Sequence, residues 1–206
     1  MLFRSYELNG LFAWLLRELD FEVTLMSARV RDREDRFGPE FDHLTLRVTC
    51  PDDPALPDVP WLADVGFGDS FEAPLRLDRR NRVQEDRLGE YRIDEGQDSL
   101  ALWQKRGGAW EEQYRFSLQP RQMQEFGGMC RYHQTSPESP FSQRRVCSYA
   151  TENGRLTLSE EKLISTEAGQ RLERPIAESE YRTILKELFD ISLNQDFSGR
   201  NEEESS

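Results

Sequence analysis

Cysteine and histidine are both scarce in this 206-residue chain, which has three of the first and two of the second. Cys50, Cys130 and Cys147 are widely spaced and form no CxxC pair. That spacing suits a reducing cytosol better than a disulfide framework, and it gives no support to a Cys/His zinc site. Long apolar runs are absent as well. Nothing approaches the 18 or so residues of a membrane-spanning helix. The opening MLFRSYELNG lacks the charged start, apolar stretch and small-residue cleavage site of a secretory signal. Basic residues are in deficit: 27 Lys and Arg stand against 39 Asp and Glu, giving a net charge of −12. A chain of that sign is not expected to bind nucleic acid. At 36% hydrophobic residues and a mean hydropathy of −0.78, it can bury a core with little apolar surface to spare.

What is present begins with a helical stripe. In LNGLFAWLLREL, residues 8–19, Leu8, Leu11, Phe12, Leu15, Leu16 and Leu19 recur at helical spacing. The stripe needs a partner surface, and no apolar segment precedes it. FEVTLMSARV and HLTLRVTC alternate as strands, separated by a charged Gly-Pro turn and followed by a proline-punctuated loop. WLADVGFGDSF reads as a buried strand ending in a Gly-rich bend. YRID, SLALWQKR and WEEQYRFSL read as short strands. Residues 120–134 carry a weak helical pattern with Pro120 at a plausible first position and two glycines inside. RRVCSYAT, GRLTLS and KLISTEA alternate again, with a hairpin turn at ENG. Residues 178–191 give an amphipathic helix with Tyr181, Ile184, Leu185 and Leu188 on one side, and the polar end frays. The outline is mixed α/β, with a small barrel or curled sheet in the middle.

Chemistry could sit at few places. His43 opens an apolar strand, where a lone histidine is commonly a structural hydrogen-bonding residue. His133 lies in a polar stretch and reads as solvated. Asp64 interrupts an apolar run in which Leu62, Ala63, Val65 and Phe67 predict burial. A buried carboxylate needs a donor or cation to compensate it. Either a histidine or the backbone N–H groups of the Gly66–Gly68 turn would serve. An Asp and a His on neighbouring strands make two thirds of a nucleophile triad. No cysteine has a reactive setting. Ser5, at the start of the first helix, is placed where developing negative charge is favoured, although the local pattern SYEL favours a simple helix cap there.

Taken in order, these residues resemble the arylamine N-acetyltransferase family, whose members typically carry Arg-Gly-Gly-x-Cys-x-Glu-x-Asn-x-x-Phe. Y-E-L-N-G-L-F-A-W-L-L-R-E-L fits the second half of that motif. H-L-T-L-R-V around His43, L-A-D-V-G-F-G around Asp64, Q-T-S-P-E-S-P-F at residues 134–141, R-V-C-S-Y-A-T and the closing helix fit further on. The match spans residues 4–193. Met1, Leu2 and Phe3 stand where the Arg-Gly-Gly would be, and Ser5 stands at the cysteine.

The resemblance implies an α/β (α+β) fold with a cysteine-protease-like core. Residues 1–19 would be the last helix of a truncated helical bundle, carrying the nucleophile position. Residues 20–118 would form a β-barrel, 119–134 an interdomain helix, 135–193 an α/β lid, and 194–206 a polar tail. It implies Ser5, His43 and Asp64 as catalytic triad positions. Phe67, Gly68 and Phe141 would line the substrate pocket, and Thr135 and Ser136 would lie near coenzyme A. Acetyl-CoA is the implied acyl donor, an arylamine or hydrazine the acceptor, with no metal, no nucleic-acid or membrane partner, and a cytoplasmic location. A serine hydroxyl cannot be stored as an anion beside imidazolium as a cysteine thiol can, so impaired transfer is expected. A catalytically inactive relative that still binds coenzyme A or an aromatic ligand is the alternative; an esterase releasing acetyl to water is a further one, without a GxSxG elbow around Ser5. The unpartnered first helix predicts self-association.

Overall fold

In the computed structural model of the chain, residues 4–32, 34–143, 145–167 and 170–193 are described. The chain separates into two compact units, Met1–Gln143 and Arg144–Ser206.

The first unit starts with helix α1 (Arg4–Glu18), which the apolar stripe correctly announces but which packs on a different face. Tyr6, Asn9 and Ala13 are buried, with Phe12 and Leu16 packed beside them. Leu8, Leu11, Leu15 and Leu19 of the expected stripe are exposed, as is Trp14. The packing face is rotated because α1 is pinned by polar contacts at its start, described below, and those contacts turn Ser5 and Asn9 inward.

The sheet has eight antiparallel strands: β1 (Glu22–Val30), β2 (His43–Thr49), β3 (Trp61–Ala63), β4 (Leu75–Arg76), β5 (Val83–Asp86), β6 (Gly89–Glu95), β7 (Leu100–Arg106) and β8 (Ala109–Phe116). Their spatial order is β4-β3-β2-β1-β8-β7-β6-β5. The two ends nearly close on each other. The Gln84 side-chain amide of β5 accepts from Arg76 N of β4 at 2.7 Å and donates to Arg76 O at 3.0 Å. One side chain thus stands in for a ladder rung and blunts both edges.

Strand alternation divides the core. Met26 and Ala28 of β1 join Leu62, Tyr91, Ile93, Leu102, Tyr114 and Phe116 inside the curled sheet. Leu25, Leu44, Leu46 and Val48 point to the other face, where they meet Tyr6, Ala13 and Phe126. Since Leu44 faces α1, its neighbour His43 faces inward, opposite Ala28 in register. The weak helix expected over 120–134 is a 3₁₀ turn at Met123–Phe126 leading into α2 (Gly127–Thr135). A one-turn helix α3 (Pro140–Gln143) closes the unit.

The second unit is a four-stranded meander of β9 (Val146–Thr151), β10 (Gly154–Ser159), β11 (Lys162–Glu167) and β12 (Gln170–Pro175), with helix α4 (Glu178–Phe189). Tyr181, Ile184 and Leu185 of α4 cluster with Cys147 and Leu158, whereas Leu188 stays exposed. Glu152 and Asn153 make the two-residue turn before Gly154, at which an added Cβ would collide with Thr166 O. Strand β12 escapes the alternation rule because every one of its residues is exposed.

Candidate active site

Ser5, His43 and Asp64 come from three elements and meet below the surface. Ser5 is the second residue of α1, His43 the first of β2, and Asp64 follows β3. Ser5 Oγ lies 2.7 Å from His43 Nδ1, and His43 Nε2 lies 2.6 Å from Asp64 Oδ2. With Nε2–H directed at the carboxylate, Nδ1 is the bare acceptor and the Ser5 hydroxyl donates to it. The helix cap expected of Ser5 is therefore not formed: its oxygen is committed to the imidazole and accepts a hydrogen bond from Leu44 N at 3.3 Å. All three residues are buried.

Asp64 is held from every side. Its Oδ1 accepts from Asn9 Nδ2 at 2.8 Å and from the backbone N–H groups of Gly66 at 3.0 Å and Phe67 at 3.1 Å. Its Oδ2 accepts from the Tyr114 hydroxyl at 3.0 Å as well as from His43. The histidine and the Gly-rich turn, posed as alternative partners by the sequence, both bind it. Burial alone would raise the Asp64 pKa. The His43 charge, the His43 and Asn9 hydrogen bonds and the Gly66 N–H outweigh it, holding the carboxyl below its ordinary range. Burial, with Asp64 alongside, pushes the Tyr114 phenol well above its usual value, so it stays a proton donor.

Tyr114 escapes the sequence reading, since nothing local marks it, and Asn9, which falls on the asparagine of the family motif, is given no role there. Asn9 Nδ2 also donates to Leu44 O at 2.6 Å, and its Oδ1 accepts from Val65 N at 2.9 Å. One amide thereby ties α1, β2 and the turn after β3 together. Gly66 is required by this closeness, because a Cβ there would stand 2.8 Å from Asn9 Nδ2 and 2.9 Å from Ser5 Cα. Gly68 adopts φ +91°, a conformation that glycine alone takes readily.

Phe67 packs edge-on to His43, with ring centroids 5.2 Å apart, and to Tyr114 at 4.9 Å. It walls one side of the imidazole. Ahead of the histidine the chain turns through Phe41, whose φ of 68° lies in the left-handed region and is rare for a bulky residue. Tyr6 OH fixes it by donating to Phe41 O at 2.6 Å, and Phe41 N donates to Ser27 Oγ at 2.7 Å.

His133 is not solvated. It is 3% exposed, with Nδ1 3.1 Å from Ser139 Oγ and Nε2 3.0 Å from Asp42 Oδ1. Its burial follows from α2 bringing it beside Asp42, just ahead of β2, a contact across 91 residues that no local pattern foretells. Phe141 is half-exposed and packs edge-on to the His133 ring at 5.0 Å. Thr135 Oγ1 donates to Arg131 O, and Ser136 is the C-cap of α2. These three residues sit on the α2–α3 turn, linked to the triad neighbourhood through His133 and Asp42 rather than touching Ser5 or His43. Among the described residues no group of three or more His, Cys, Asp and Glu side chains is arranged to hold a metal ion.

A buried Ser–His–Asp relay with an aromatic wall is competent for acyl transfer. A family profile described as N-acetyltransferase matches residues 5–198. An arylamine N-acetyltransferase of Escherichia coli (strain K12) is 31% identical over 196 residues, spanning 92% of this chain and 66% of its own length. The solved arylamine N-acetyltransferase of M. smegmatis superposes with a TM-score of 0.83 at 29% identity, covering 96% of this chain and 71% of that one. The Mycobacterium marinum enzyme, solved in complex with CoA, gives 0.82 at 28% identity over 91% and 69%.

Proposed function

Because the chain belongs to the N-acetyltransferase family, we propose that Ser5, His43 and Asp64 hold the nucleophile, base and orienting positions of an acetyl transfer from acetyl-CoA to an arylamine or hydrazine. The observation that carries this is the continuous relay from Ser5 Oγ through both His43 nitrogens to Asp64. Ser5 Oγ attacks the thioester carbon while its proton passes to His43 Nδ1. The new C–O bond forms as the C–S bond breaks, and the departing thiolate takes the proton from the imidazolium. An amine then attacks the acetyl ester, its proton is relayed through His43 back to Ser5 Oγ, and the amide leaves.

Phe67, Gly68 and Phe141 line the acceptor side in this reading, and Thr135 and Ser136 lie toward the donor. The CoA complex of the M. marinum relative supports acetyl-CoA as the donor. No helix of the described residues is long and apolar enough to cross a membrane.

The hydroxyl sets the rate. A thiol beside imidazolium ionises with a pKa of roughly 3.5–7.5, whereas serine must lose its proton during attack. The acetyl-serine ester also lies below the thioester, so its transfer to an amine is slow. Weak turnover follows, and retained ligand binding without turnover is the second reading, favoured by that same hydroxyl. Assay of the purified chain with acetyl-CoA and a simple arylamine tests both. Ser5→Cys is expected to raise the acetylation rate by at least about a hundredfold, the scale of positioned acid–base catalysis. A folded Ser5→Cys chain no faster than Ser5→Ala would sink the triad assignment.

A further inference from the structure

A concavity of about 770 Å³ opens beside the loop between β4 and β5, and five arginines line it: Arg47, Arg76, Arg79, Arg80 and Arg82. The only carboxylate in its lining is Asp78. In a chain of net charge −12, such a concentration of one sign runs against the background. Two of the five are compensated. Arg76 makes a bidentate pair with Asp78 at 2.9 and 2.6 Å, and Arg80 pairs with Glu95. Arg47, Arg79 and Arg82 have no carboxylate partner within salt-bridge distance among the described residues. All three line the one hollow, together with Leu77, Leu118 and Pro60.

The position is separate from the triad. Arg47 follows His43 by four residues on β2, so both side chains project from the same face. Four strand residues span about 13 Å, which puts the arginines toward the opposite end of that face. A ligand held there does not share the space around Ser5.

Guanidinium is a planar fork that matches phosphate oxygens two at a time, and no lysine lines the hollow. A concave cationic surface also focuses field on a small anion. An extended polyanion would be repelled by the acidic remainder of the surface. We propose that this arginine-lined hollow is a binding site for a compact small molecule bearing two or more phosphate groups, distinct from the acyl-transfer site.

Calorimetric titration of the full chain with inorganic pyrophosphate tests this. The expected result is saturable binding at a single site that weakens as salt is raised, because the contacts are charge-assisted. Arg79→Glu/Arg82→Glu should weaken it by at least about tenfold, since two of the three uncompensated charges are reversed. Arg47→Gln should weaken it less, and it serves as the second variant if circular dichroism finds the double variant unfolded. Ser5→Ala and Arg171→Glu should leave it unchanged. No saturation up to about 10 mM, equal affinity for pyrophosphate and citrate, or insensitivity to both arginine variants would each overturn the proposal.

Discussion

Ser5 Oγ stands 2.7 Å from His43 Nδ1, while the far nitrogen of the same ring is taken by Asp64. The order of contacts fixes the tautomer, so the hydroxyl faces a base that is already oriented. Such a serine should accept acetyl even where onward transfer is slow. Incubation with acetyl-CoA is expected to leave an acetyl ester on Ser5, detectable by peptide mass spectrometry. His43→Gln should suppress it by roughly 10²–10⁴-fold, the range for a lost general base. Acetylation of the variant at the wild-type rate would mean that His43 is not the base.

Asn9 satisfies Leu44 O, Asp64 Oδ1 and Val65 N with a single buried amide. Its removal leaves polar groups unpaired in a closed space, each at a cost of about 1–3 kcal/mol. Asn9→Ala should therefore destabilise the chain by about 2–4 kcal/mol in urea unfolding. Asn9→Asp should cost more, because it sets a second carboxylate against Asp64. A loss under about 1 kcal/mol for either would show that solvent reaches the site.

Asp64 titrates below its ordinary range in the folded chain, against about 3.9 when unfolded. A depressed carboxyl contributes stability that is complete above the unfolded value and disappears as pH falls through the folded one. Unfolding free energy measured from pH 5 downward should fall more steeply for the wild type than for Asp64→Asn, so the gap between them narrows toward acid. Tyr114→Phe removes the donor at 3.0 Å and so raises the folded value toward the unfolded one; the decline should then be smaller and finish at higher pH. Parallel curves for wild type and Asp64→Asn would refute this.

Much of this architecture is legible in residue order, for identifiable reasons. Leu44, Leu46 and Val48 alternate because one face of β2 meets α1, and that alternation alone directs His43 inward. Asp64 stands out because a carboxylate inside an apolar run must be compensated. Tyr114 is invisible for the converse reason, and so is what Asn9 does, although the motif includes it: their partner Asp64 lies 50 and 55 residues away, and side chains of that kind are ordinary on a strand or helix. His133 fails likewise, since Asp42 is remote in sequence. The orientation of α1 is misjudged because counting leucines ignores buried polar contacts, which here decide the facing.

His133 bridges Ser139 and Asp42 and backs the Phe141 ring. If Phe141 borders the acceptor, His133→Ala should loosen that border without touching the nucleophile. In the Ser5→Cys background, KM for the arylamine should rise by about three- to tenfold with kcat changed less, a loss of about 1 kcal/mol of uniform binding. His133→Gln, which can still hydrogen-bond at both ends, should recover part of it. A fall in kcat with KM unchanged would place His133 in support of His43 instead.

The outward side of α1 presents Leu11 at 63% exposure, Leu19 at 58%, Trp14 at 57% and Leu15 at 46%. These lie on adjacent turns and form one continuous apolar surface, unlike single exposed hydrophobics, which are normal. Covering each large side chain contributes about 1.5–3 kcal/mol relative to leaving it in water. Two copies meeting through this face would bury at least three such chains each, enough to offset the entropy of association at micromolar concentration. Sedimentation velocity over a concentration series should therefore show reversible self-association. Leu11→Glu/Leu15→Glu should return the chain to a monomer while leaving its circular dichroism intact, because neither residue contributes to the buried core. A wild-type chain that stays monomeric throughout the series would overturn the prediction, as would an associated form indifferent to the two glutamates.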